Sequence, residues 1–564
     1  VRILTLAAVT AAGSILLSAS GASSATTGNP QSVAAIVPAR PAVAKPAEAG
    51  RSGKRPRIAY CVSNDADSFV ALPTTTDYDY AGGAQSVSGA GDHNQACGTG
   101  SMIAAGEHNT IIYSNSTGGE GVNAFIGGGY SNFLTGPSGF IGAGSGNTVT
   151  GENAVVGGGG SNGSDGFDSA IGAGVYNNVS GSFGAIGSGQ SNTVPGMMAF
   201  VGAGYNNGAN GNGAAIGGGG YEGYSAGQTS RGNIAGGTDS FVGAGDLNTI
   251  GGAGAFIGAG GTTYAATGSG SPGNEADGAD SFIGAGDQNY VDSAAGSAAI
   301  VGGNTNVIDA GAAFIGGGTG NVINGRGTSA VIAGGSGNQE SGAYGSLAGG
   351  FDNQLSAEYG ALAGGDGNIV SGENAAIPGG YRNLASGKFS LAAGVGSYAT
   401  TVGSFVWSDD ATGAKHLETT KPNQFLARAS GGFVFLTNAG ATTGAMLAPG
   451  SGAWSNASDR TLKRDISSID DEAILAKVAA LPVSEWSYIS EGGVRHLGPM
   501  AQDFYAAFKV GEDDRHITTI DEDGVALAAV KGLARKNREL QAKVNAMQSQ
   551  LAELAAEVAE LRRH

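Results

Sequence analysis

A 15-residue frame repeats through the middle of the chain, and few folds can carry it. Phe125-Ile126 is followed by Gly127-Gly128-Gly129, with Asn132 six places after the isoleucine. The frame returns at Ile141, Val156, Ile171, Ile186, Val201 and Ile216, each 15 residues on. It resumes at Val242 and Ile257, then at Ile283, Val301 and Ile315, and runs again through Ile332, Leu347, Leu362 and Ile377. The asparagine recurs as Asn147, Asn162, Asn177, Asn192 and Asn207, and later as Asn248, Asn289, Asn321, Asn338, Asn353, Asn368 and Asn383. A second apolar residue often follows two places later, as in Leu134, Val149, Val179, Val194, Ile323, Leu355 and Val370. Fifteen residues are too few for a helix pair and too glycine-rich for one helix. They suit two short strands and two tight turns, one coil of a stacked β-roll.

The composition agrees. Glycine contributes 106 of 564 residues and charged residues only 13%. Such a chain has little apolar volume with which to offset the entropy of ordering, so it must stack on itself or on copies of itself. The fold class expected is mainly β: a Gly-rich parallel β-roll or solenoid, trimeric, followed by a small α+β domain that ends in a coiled-coil helix. The asparagines would stack as a ladder and the Ile/Val column would form a thin core. Departures from the period near 222–241, 262–281 and 290–300 would be loops on one face.

This unit resembles the head repeats of trimeric autotransporter adhesins (YadA-like), over about residues 102 to 400. That resemblance implies three chains side by side. The membrane-anchor barrel of those adhesins has no counterpart in this sequence, so their surface display is not carried over. A calcium-binding roll is disfavoured, because its nine-residue period and regular Asp do not occur here.

Charge is unevenly placed within a net of −18. Between Ile58 and Ser458 there are seven Lys/Arg against 27 Asp/Glu. An acidic shaft repels phosphate backbones, so no nucleic-acid partner is expected. Residues 1–25 read as a signal peptide, with Arg2, an apolar run from Ile3 to Leu17, and small residues at Ser23-Ser24-Ala25 or Ser20-Gly21-Ala22 for cleavage. The alternative is an uncleaved N-terminal anchor. The expected location is secreted or cell surface, with no transmembrane anchor in the mature chain. Residues 26–57 are a Pro/Ala-rich linker, and 58–120 a cap or lead-in. Repeats fill 121–400, and a β transition module fills 401–457, with strands expected around Phe405, Phe425 and Phe433. Cys61 and Cys97 are the only cysteines, and in an exported chain they would form one structural disulfide. No cofactor or metal is expected.

The chemistry is expected at the C-terminal end. Ser458-Asp459-Arg460-Thr461-Leu462-Lys463-Arg464-Asp465-Ile466 opens a segment that continues with His496-Leu497-Gly498-Pro499-Met500-Ala501-Gln502-Asp503-Phe504 and Asp521-Glu522-Asp523-Gly524. These motifs, in this order, resemble the intramolecular chaperone auto-processing domain (peptidase S74) of phage endosialidases and tail fibres. The resemblance covers 458–564. It implies a Ser/Lys dyad, with Ser458 as nucleophile, Lys463 as general base and scission at Ser458–Asp459. An acyl shift at Ala457–Ser458 is the other bond open to the same serine. A lysine serves as a base once burial depresses its pKa, so cleavage would wait for folding. Without the downstream motifs the pair would read as a polar turn and a surface lysine. His496 reads as a structural histidine.

From Val530 through Leu533, Leu540, Val544, Met547, Leu551, Leu554, Val558 and Leu561 the apolar spacing is that of heptad a and d positions, with Asn537 at an a position. A coiled coil is therefore expected over 530–564. The function expected is an exported, homotrimeric fibre or adhesin-like protein. Its terminal domain would promote trimer folding and then release itself, leaving a shaft to meet a surface, matrix or glycan receptor. The alternative is a glycan-binding or glycan-degrading spike with the same maturation domain. Against hydrolysis, residues 121–400 hold no His and few carboxylates at fixed repeat positions, where paired carboxylates would be needed.

Overall fold

A computed structural model describes residues 69–70, 79–112, 121–220, 232–261, 273–410 and 415–563. The expected signal segment, linker and Cys61 lie outside these residues, as do 221–231 and 262–272, where two of the loops were expected. Cys97 is buried, and there is no free cysteine among the described residues.

The 15-residue unit is one coil of a parallel β-solenoid. Each coil carries two strands of two residues, which join two separate ladders. Val155–Val156 pairs with Phe140–Ile141 on one side and Ala170–Ile171 on the other. In the second ladder, Thr148–Val149 lies between Phe133–Leu134 and Gly163–Ser164. With a period of two along a strand, one residue of each pair points in and its neighbour out. Ile141, Val149 and Val156 are fully buried accordingly, whereas Phe140 points outward and is 39% exposed. A third inward place, just before the first strand, takes only small residues, such as Ala124, Ala154, Ser169 and Ala199. There is no room for more between the two ladders.

The fourth inward place belongs to asparagine, and it explains why the residue recurs. Asn147 Nδ2 donates to Oδ1 of Asn132 at 3.0 Å and to the carbonyl of Gly159 on the next coil at 3.0 Å. The Asn147 backbone N–H donates to the same Asn132 Oδ1 at 3.0 Å. The pattern continues coil after coil, so the polar groups at this corner are satisfied in an interior that excludes water. The turn before each asparagine brings two coils into contact. Gly144 sits at φ +119, where a Cβ would fall 2.0 Å from the carbonyl oxygen of Gly159. Only glycine fits there.

Among the described residues the ladder has two ends. At the first, the Asn94 N–H donates to Oδ1 of Asp79 at 2.7 Å. At the other, Ser397 takes the asparagine's place. Its N–H donates to Asn383 Oδ1 at 2.9 Å, and its hydroxyl turns to the carbonyl of Ala393.

Coils extend beyond 121–400 in both directions. Val87–Asp92 pairs with Met102–Glu107 inside the expected lead-in, and Phe425–Arg428 pairs with Phe405–Ser408 inside the expected transition module. Arg428 and Asp409 close the last coil with an ion pair at 3.2 Å. The frame read at Val301 is displaced by one residue. Ile300 is the buried residue and Val301 points outward, because Asp292 opens a longer turn in the coil before it. The 290–300 irregularity is therefore an ordered coil, not a bulging loop.

After the solenoid, Phe433–Leu436, Gly444–Leu447 and Trp454–Asn456 form an antiparallel sheet. Three helices follow: α1, Asp471–Ala480; α2, Ala501–Phe508; and α3, Thr519–Leu561. A short hairpin, Ser484–Trp486 against His496–Gly498, lies between α1 and α2. No described helix is long and apolar enough to cross a membrane.

Candidate functional site

The chain between the antiparallel sheet and α1 makes one tight turn, and that turn shapes the candidate site. Arg460–Leu462 is a single 3-10 turn. Asp459 stands at its N-terminus in extended conformation, and its Oδ1 accepts from the Thr461 N–H and the Thr461 hydroxyl, each at 2.8 Å. Capping by a short acidic side chain satisfies amides that the turn cannot. The same two bonds, the N–H first, hold the Asp459 carboxyl below the usual carboxylate range. At the other end the Lys463 N–H returns to the carbonyl of Arg460.

The turn brings Lys463 back over the residue that precedes it. Lys463 Nζ donates to Ser458 Oγ at 2.7 Å. This is the reach a nucleophile and its base require, and the peptide bond between Ser458 and the Asp459 cap lies inside the same loop. The pair is exposed to solvent.

His496 is occupied elsewhere. Its Nε2 lies 2.8 Å from Glu491 Oε2, and its ring stacks on Trp486 with centroids 4.7 Å apart. Pro499 follows the last residue of the hairpin strand and precedes Met500, the N-cap of α2, so it costs no ladder bond.

Sequence reasoning missed the clasp that holds α1 on α3. Asp471, at the start of α1, is buried, and its Oδ2 meets Arg535 at 3.3 Å and Lys531 at 3.5 Å. Glu472 meets Lys536 at 3.2 Å. Gly532 permits the approach, because a Cβ there would come within 2.4 Å of the Asp471 carbonyl oxygen. A glycine inside a long helix was the available signal. Beyond the clasp the heptad seam of α3 is bare, with Leu540, Met547, Leu551, Leu554 and Leu561 all exposed.

Residues 458–510 match the family model described as chaperone of endosialidase, Peptidase S74. The match begins at Ser458 itself. No curated protein matches the chain.

Proposed function

We propose that this chain is an exported, homotrimeric fibre whose terminal domain clamps three chains during folding and then cuts itself off beside Ser458. The observation that carries the reading is the 2.7 Å contact of Lys463 Nζ with Ser458 Oγ, at the first residue of the family match. The family supplies the coarse activity, a self-cleaving chaperone domain. The dyad, the trimer and export go beyond that activity and belong to the proposal.

Assembly is supported by what a single chain leaves uncovered. Val434, Phe435, Leu436, Met446 and Trp454 put apolar side chains in solvent on a sheet with no second layer of its own. The seam of α3 does the same. Patches of this extent are rare on chains that stay monomeric.

Two bonds are within the chemistry. At Ala457–Ser458, Ser458 Oγ attacks the preceding carbonyl through a five-membered ring while Lys463 takes its proton and returns it to the leaving amide nitrogen. Water then hydrolyses the ester. At Ser458–Asp459, attack by the same residue's own oxygen would close a four-membered ring, so that cut calls on a serine from a neighbouring chain.

Purified protein should run as two fragments, the smaller beginning at Asp459. Ser458→Ala and Lys463→Ala should each leave one full-length species. Intact-mass analysis decides it: efficient cleavage in Ser458→Ala removes the serine from the mechanism, and a fragment beginning at Ser458 selects the acyl shift.

A second reading is favoured by one groove on the solenoid. It holds about 490 Å3 and is lined by Phe351, Tyr381, Tyr398, Asp352, Asp366 and Arg382. Exposed rings with polar groups at their edges suit a saccharide. A glycan array on the mature trimer tests binding, and release of reducing ends tests hydrolysis.

A further inference from the structure

Each coil turns into its first strand through one residue in the left-handed region. Most coils place a residue there that tolerates it: Asn123, Asn153, Asp168, Asp239, Asp280 and Asn374 all lie at φ between +50 and +56. Phe183 and Met198 occupy the same place at φ +59 and +56, as the aromatics Tyr344, Tyr359 and Phe389 do on later coils; among the described residues methionine stands there only at Met198. A bulky side chain there costs roughly 1 kcal/mol against glycine. Both side chains stay about half exposed, 53% for Phe183 and 58% for Met198, so much of their apolar surface is left in solvent. The neighbouring corner residues Phe167 and Met197 are also exposed, and the rings of Phe167 and Phe183 meet edge to face at 5.5 Å. Backbone bonds from Phe183 N–H to the Phe167 carbonyl and from Met198 N–H to the Ser182 carbonyl place these residues on successive coils. The result is a ridge of phenylalanine and methionine roughly 10 Å long at a coil spacing of about 4.8 Å.

Among the described residues of these coils the charged side chains carry one sign. Glu152, Asp165 and Asp168 stand on the coils at one end, and Asp239 stands two coils beyond Met198 at the other. No Lys or Arg occurs anywhere between residues 58 and 230. A second copy of this corner would bring acid against acid, and an anionic membrane would be repelled. Methionine and phenylalanine adapt to many apolar shapes, while an acidic rim selects cations.

We propose that the Phe167–Met198 ridge is a docking surface for a cationic, amphipathic segment of another protein. The inference goes beyond the self-cleavage reading and does not depend on it, because the ridge lies on coils far upstream of Ser458.

The test uses the full chain and a fluorescent 18-residue leucine/lysine amphipathic peptide as probe, with leucine/glutamate and serine/lysine peptides as controls. Binding is read by anisotropy at low and high salt. The leucine/lysine peptide should bind, and the double variant Phe183→Asn/Met198→Asn should weaken it at least tenfold. The same variant should keep or raise the Tm, because asparagine relieves the left-handed positions. A ridge that served the fold would lower it. Unchanged binding by the double variant, a lowered Tm, or equal binding of either control peptide would overturn the proposal. So would failure of Met198→Cys to react with a maleimide in the assembled protein, since the ridge would then be covered by another copy.

Discussion

Glu340 stands where most other coils place Val, Ile, Leu or Ala in the second ladder. It lies between Ile323 and Leu355, fully buried. Its Oε1 accepts from the Gly342 N–H at 2.8 Å, and Gly345 opposite leaves the space it fills, since a Cβ there would fall 2.4 Å from Oε1. Burial pushes the carboxyl up from 4.5 to about 8, so the folded chain holds a proton that the unfolded chain releases. The folded pKa is the raised one. The stabilising contribution is therefore fully present below pH 4.5 and fades as pH climbs to about 8. The upper bound on the slope is roughly 1.4 kcal/mol per pH unit within that window. Glu340→Leu should flatten the dependence and raise the Tm at pH 8. A Tm-against-pH profile that is the same in both proteins would mean the carboxylate ionises in place.

The same residue shows why the sequence was only partly legible. A glutamate in an apolar column looks like a break in the repeat until its glycine partner is seen, and that partner faces it only once the coil closes. Ser164 and Ser169 are a second such exchange, their hydroxyls 2.7 Å apart in place of an apolar pair. The asparagine period could be read wherever the spacing stayed at 15. Asn233 and Asn274 were lost because each follows its predecessor by 26 residues, and Asn306 because the frame was set on Val301 rather than Ile300, although all three are bonded in the ladder. The Ser458–Lys463 pair was legible through its motif. The 3-10 turn that joins them was not, because it depends on which side chain Asp459 caps.

Among the elements, α1 and α3 meet through Gly532, and side-chain volume there decides whether the clasp closes. Gly532→Val would set a branched side chain against the Asp471 carbonyl and part Asp471 from Arg535 and Lys531. Overpacking a close contact of this kind costs about 1–3 kcal/mol. We expect the variant to lose α1 docking and to cleave far more slowly, while the solenoid coils keep their β signal. Cleavage at the normal rate would show that the clasp does not support the dyad. The partners are far apart in the chain, so periodicity could not reveal them. The heptads of α3, a local pattern, were legible throughout.

For the whole molecule, the question is register. Coils of nearly uniform content can slip by one repeat at little cost, because each slip buries similar residues. A terminal clamp that aligns three chains first would remove that freedom, and the zipped shaft would then be trapped kinetically. Residues 26–458 expressed alone should give aggregates or heterogeneous oligomers. The self-cleaved product should be a soluble, protease-resistant trimer by light scattering. Equal yield, trimer content and resistance for the two would make the terminal domain dispensable for folding.

The amide ladder also bears on how long such an object can grow. Its side chains are bonded in one direction, each Nδ2 donating to the Oδ1 of the asparagine one coil earlier, so the ends of the stack are chemically unlike. Left open, one end would offer donors and the other acceptors, and molecules could join end to end without limit. Among the described residues Asp79 stands at one end of the amide column and Ser397 at the other, and neither side chain carries the amide nitrogen that extends it. The identity of the residue at these two marks, rather than concentration, limits how far the described column runs.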